Sequence, residues 1–80
     1  MALDLNNKVE LKKLIEQGLP CFRRYGFGWK GASSFPITKE EALRLLPNYS
    51  PGMGFYELRE ESMNGEPCLT FVEYSESDMF

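Results

Sequence analysis

The stretch GFYELREESMNGEPCLTFVEY, residues 54–74, decides how this chain folds. Two runs rich in aromatic and branched residues, 54–61 and 68–74, flank Asn64-Gly65, the dipeptide best suited to the left-handed centre of a two-residue hairpin turn. A turn centred there sets Met63 opposite Glu66 and fixes every pair behind it. Leu58 then faces Phe71, Tyr56 faces Glu73 and Glu60 faces Leu69, and this set is expected to line the core. On the other side Arg59 faces Thr70, Glu57 faces Val72 and Phe55 faces Tyr74. A loop with one residue more or fewer would turn one strand's faces over.

Upstream of the hairpin, Thr38 and Glu41 form a T-x-x-E capping box, and Ile37 can staple onto Ala42. The helix that follows shows Ala42, Leu43, Leu45 and Leu46 on one apolar face, and Pro47 closes it. The loop PNYSPGMG comes next, with Pro51-Gly52 suited to the centre of a type II turn. A first helix is expected from about Asn7 to Gln17. Leu11, Leu14 and Ile15 supply its apolar stripe, Asn7 with Glu10 its start, and Gly18 with Pro20 its stop. Between the helices, Leu19 to Phe27 reads as a strand entering a Gly-rich turn at Gly26 to Gly31. Ser33 to Ile37 is its candidate return strand, confined to an edge by Pro36.

The expected order is thus α-β-α-β-β, an α+β fold in a single domain, residues 1–80, with residues 1–6 and 76–80 frayed. Two short helices would pack on one face of a mostly antiparallel sheet of three strands, or four if Ser33 to Ile37 pairs, ending in a C-terminal β-hairpin. A chain of this size buries only about 60% of the surface its unfolded form exposes, so its stability is marginal. Two distant cysteines and no histidine argue against a disulfide scaffold and a structural zinc, so no metal or cofactor is expected. Self-association as a homodimer is the remaining route to added burial. Hydrophobic residues at 42% are enough for a real core and argue against disorder. The N-terminal MALDLNNKVELKK has no signal-like apolar stretch and no run suits a membrane span, so the cytoplasm is the expected compartment. Asn48-Tyr49-Ser50 matches a glycosylation sequon and is set aside as coincidence.

Net charge is −3, which makes the chain a poor general binder of duplex nucleic acid. The charge is uneven. Residues 1–40 hold seven Lys/Arg against four Asp/Glu, whereas residues 41–80 hold two against eight, and the stretch from Gln17 to Lys39 has no acid at all. At its centre lies RRYGFGWKG, residues 23–31, which matches G-x-G-x-x-G without the helix that a dinucleotide fingerprint needs inside the motif. Arginines there offer planar donors, aromatic rings offer stacking faces, and glycines permit close approach to the backbone. Arg23, Arg24, Tyr25, Phe27, Trp29 and Lys30 are therefore the candidate binding residues. The plain alternative is that the aromatics are core residues of a tight hairpin and the arginines ordinary solvated side chains.

Catalysis has little to work with, since no histidine is present and no serine sits in a nucleophile elbow. Cys21, with Arg23 close enough in sequence to favour its thiolate, is the one nucleophile to weigh against a buried inert thiol. Glu40-Glu41 and Glu60-Glu61 are neighbours whose side chains diverge. The leading expectation is a non-enzymatic protein-interaction module of the accessory or inhibitor type, with an unknown protein partner and the acidic hairpin as a second surface. The alternative is a binder of a nucleotide or similar anionic small molecule through the same loop.

Overall fold

The computed structural model describes residues 3–25, 33–52 and 56–73. Helix α1 (Lys8–Glu16) leads into β1 (Cys21–Tyr25) and β2 (Ser33–Pro36); α2 (Lys39–Leu45), extended by a 3₁₀ turn at Leu46–Asn48, precedes β3 (Glu57–Met63) and β4 (Glu66–Glu73). The expected caps are in place. The Asn7 side chain accepts the Glu10 N–H at 3.0 Å, and the Thr38 hydroxyl accepts the Glu41 N–H at 3.1 Å. At the far end of α1 the N–H groups of Gly18 and Leu19 donate to the carbonyls of Ile15 and Leu14, a Schellman closure that puts Gly18 at φ 109°.

The hairpin register is the one the turn dictates. Asn64 and Gly65 adopt φ of 54° and 82°, Met63 pairs with Glu66, and Leu58 faces Phe71 with Glu60 facing Leu69. The first strand is shorter at its start than its sequence suggests. Tyr56 is left-handed at φ 51° and stands outside β3, while Gly54 and Phe55 lie outside the described residues, as does Tyr74. Ser50 bridges to Glu57 instead, donating its N–H to the Tyr56 carbonyl and accepting that of Leu58, both at 3.0 Å.

The sheet has four strands in the order β2-β1-β4-β3, and it is mixed rather than mostly antiparallel. Both hairpins are antiparallel, but the central pair β1 and β4 runs parallel, with Cys21 beside Leu69 and Arg23 beside Phe71. The central place of β4 follows from its burial. Every residue from Cys68 to Val72 is buried, so this strand needs neighbours on both edges and cover on both faces. Helix α2 carries the chain away from β2 so that β3 forms the outer edge, and β4 returns between β3 and β1 in the direction of β1.

Leu11, Ile15, Ala42, Leu45, Leu46 and Tyr49 pack as one cluster with Cys21, Leu58, Leu69 and Phe71 of the sheet, so both helices cover a single face. Tyr49 meets Phe71 edge-on, with ring centroids 5.3 Å apart. On the opposite face Cys68, Thr70 and Val72 are also buried. There the Arg24–Glu61 pair reaches from β1 to β3 across β4, and the Thr70 hydroxyl donates to Glu61 at 2.7 Å.

Strand direction gives the sheet a distinctive end. Tyr25 and Glu73 are the last residues of β1 and β4, and Ser33 and Glu57 the first of β2 and β3, so all four sit together. No helix among the described residues is long and apolar enough to cross a membrane.

A Cβ built on Gly65 would meet no atom within 4 Å, so the cost of a side chain there comes from backbone conformation alone. Gly65→Ala is expected to lower stability by roughly 1–2 kcal/mol, and Gly65→Asn by less, because asparagine tolerates the left-handed region. Urea denaturation of the two variants measures the difference.

Candidate functional site

Alternation along β1 sends consecutive side chains to opposite faces. Arg23 lies on the helix face, where its guanidinium donates to Glu41 of α2 at 3.1 Å and to Glu73 of β4 at 2.9 Å. The Tyr49 hydroxyl donates to the same Glu73 oxygen at 3.2 Å, and Arg44 pairs with Glu41 at 3.2 Å. Two strands, one helix and the tyrosine after the 3₁₀ turn are thereby tied at one point. Beside it opens a cleft of about 580 Å³ lined by Arg23, Leu45, Asn48, Tyr49, Tyr56 and Glu73. Tyr56 stands edge-on to Tyr49 with centroids 5.4 Å apart and is 50% exposed, the most accessible aromatic surface of the cleft.

Arg24 faces the other way. Its Nε donates to the Ser34 hydroxyl at 2.8 Å and its terminal nitrogen pairs with Glu61 at 2.8 Å. The adjacent arginines therefore cannot close on one ligand from the same side, and each is engaged with carboxylates of its own chain. Tyr25 ends β1, its backbone paired with Ser33 and Glu73. Phe27, Trp29 and Lys30, with the Gly26 to Gly31 turn, lie outside the described residues.

Sequence reading gave Glu41, Tyr49 and Tyr56 no binding role and Glu73 only a place in the acidic hairpin; Tyr56, expected on the core face opposite Glu73, stands outside β3 and exposed. Glu41 reads as half of a capping box, and its N–H does serve the cap, yet its carboxylate turns to Arg23 and Arg44. Tyr49 sits inside a sequon set aside as chance, although an aromatic two residues beyond a helix-ending proline is a reasonable core candidate. Burial first, and then the Glu73 carboxylate, pushes the Tyr49 hydroxyl up to about 12, so it stays a proton donor at neutral pH.

The cysteines carry no activated thiolate. Cys21 shares the face of Leu69 and Cys68 the opposite face, so the two point apart across neighbouring strands, and both are free and buried. Burial pushes the Cys21 thiol up to about 11, with Cys68 adding to the rise; burial also raises Cys68, with Glu61 next in effect. The expected help from Arg23 is missing because that guanidinium is held by Glu41 and Glu73. No group of three His, Cys, Asp or Glu among the described residues is placed to hold a metal.

No protein-family model matches the chain, and no curated protein or solved structure matches it either.

Cys21 and Tyr49 are neutral in the fold, with values raised above the ordinary 9.0 and 10.0. The stability they lend is complete below pH 9 and is lost as pH rises through about 11 for Cys21 and about 12 for Tyr49, because the unfolded chain ionises first. Urea midpoints are expected to fall above pH 9, and less steeply in the Cys21→Ala/Tyr49→Phe protein. At pH 8 iodoacetamide should leave Cys21 unmodified in the folded chain and label it in urea.

Proposed function

We propose that this chain is a small, non-enzymatic protein-interaction module of the accessory or inhibitor type. It binds through the basic aromatic segment from Arg23 to Lys30, with the acidic hairpin as a second surface. The observation that carries this reading is the gathering of Tyr25, Ser33, Glu57 and Glu73 at one end of the sheet, beside a cleft with an exposed tyrosine. Tyr25 and Ser33 at that end flank a stretch whose sequence holds Phe27, Trp29 and Lys30. Tyr, Trp and Arg are the residue types that dominate binding energy at protein interfaces. Two free, buried cysteines suit a reducing compartment, which supports placing the protein in the cytoplasm.

Capture of a nucleotide or related anion is the second reading, favoured by the guanidinium and tyrosine rings of the cleft. Charge weighs against it. Arg23 already faces Glu41 and Glu73, and Arg24 faces Glu61, so an incoming anion must displace carboxylates that cost nothing in translational freedom.

Because Arg23 and Arg24 hold the fold, the variant that tests the surface is Trp29→Ala/Lys30→Ala. It should keep the wild-type circular dichroism spectrum and lose the proteins that the wild type captures from a native extract; equal capture overturns the reading. Trp29 fluorescence should stay flat on titration with common nucleotides, cyclic ones included, and a saturable change would favour the anion binder instead.

A further inference from the structure

The two outer edges of the sheet are built differently. Ile37 donates its N–H to the Cys21 carbonyl, so alternation turns the backbone of Ser34 and Pro36 outward on β2. Proline has no N–H to offer, and that edge is blunted. On β3 the Leu58 N–H points outward to Ser50, which sets the N–H and C=O groups of Glu60 and Ser62 outward as well. Neither Glu60 nor Ser62 has a backbone partner on that side among the described residues, and continuous pairing from Glu57 to Met63 leaves no bulge to twist the edge away. A recess of about 280 Å³ opens there, lined by Glu60, Glu61, Ser62, Gly65 and Pro67.

Charge selects the occupant. Glu57 is paired with Arg59 and Glu61 with Arg24, whereas Glu60, whose carboxylate accepts the Leu3 N–H at 2.8 Å, and Glu66 join no ion pair among the described residues. A second copy laid antiparallel along β3 and centred on Glu60 would set Glu60 against its own counterpart, and Glu61 opposite an Arg59 already paired with Glu57. Like charges across a strand pair are destabilising, so self-pairing is opposed. We propose that the open edge of β3, at Glu60–Met63, accepts an extended basic segment of a partner protein as an added strand, its Lys or Arg side chains on one face meeting Glu60. Backbone hydrogen bonds supply the affinity and the Glu60 carboxylate selects the sign of the guest. This rests on the interaction-module reading and names the partner chemistry of its acidic surface.

The test uses the whole ¹⁵N-labelled chain and an acetylated, amidated peptide of alternating lysine and valine as probe. Backbone amide shifts should concentrate between Arg59 and Met63. A glutamate–valine peptide, and a lysine–valine peptide with alternate amides methylated, should each bind at least ~tenfold more weakly. Ser62→Pro removes an outward N–H without touching the ladder to β4, so its spectrum should stay folded while peptide binding falls by a similar factor. If Ser62→Pro does not fold, the methylated peptide decides the same point on the wild type. Four results overturn the proposal: no shifts at millimolar peptide, shifts centred elsewhere, equal binding of the acidic peptide, or a dimer with these amides protected. Partner capture that needs Trp29 and survives Ser62→Pro removes the edge proposal while leaving the interaction module standing.

Discussion

Five consecutive residues of β4, Cys68 to Val72, are withdrawn from water on both faces of the sheet and along both edges of the strand. The rest of the fold answers that requirement. Leu69 and Phe71 are covered by Leu11, Ile15, Ala42, Leu45, Leu46 and Tyr49 from the helical layer. No helix lies over Cys68, Thr70 and Val72 among the described residues, and there the Arg24–Glu61 pair spans β4 instead. The long apolar stems of such side chains shield a surface while their charged ends meet each other. Remove β1 from its parallel place and a full row of β4 backbone groups would lose its partners in the sheet.

The same constraint explains why the two adjacent arginines do different work. On a strand wedged against β4, residue 23 must point to the helices and residue 24 to the other face, so one basic pair becomes two separate clamps. Each clamp joins elements distant in sequence: Arg23 reaches Glu41 and Glu73, and Arg24 reaches Glu61 and Ser34. Partly exposed ion pairs contribute about 1 kcal/mol or less apiece, so their role is to fix geometry more than to supply stability. For binding, the consequence is a division of labour. The arginines hold the platform, and the accessible chemistry passes to Tyr56 and the open strand edge.

Much of this architecture can be read from consecutive residues. Asn7 with Glu10, Thr38 with Glu41, Gly18 before Pro20 and Asn64-Gly65 each specify a local hydrogen-bond pattern, and each pattern is present. The hairpin register follows from a turn of two residues, and the edge position of β2 follows from one proline lacking its N–H. Even the central place of β4 has a signal in the unbroken run CLTFV, since a strand with one solvated face would alternate. The parallel pairing of β1 with β4 has no comparable local mark. An antiparallel neighbour suits the same apolar residues, and only the path of α2 over one face selects the direction.

The candidate site was legible in part and for the same reason. Sequence alone determined which residues carry basic and aromatic chemistry, where the helices begin and end, and which residues of the hairpin face each other. Those properties are encoded within a few positions of chain. Tertiary structure alone decided that Arg23 meets a glutamate 50 residues away, that Arg24 turns its back on it, and that Cys21 and Cys68 point apart. Such pairings depend on which strands become neighbours, and strand order is set by the burial of the whole sheet rather than by any short run of residues.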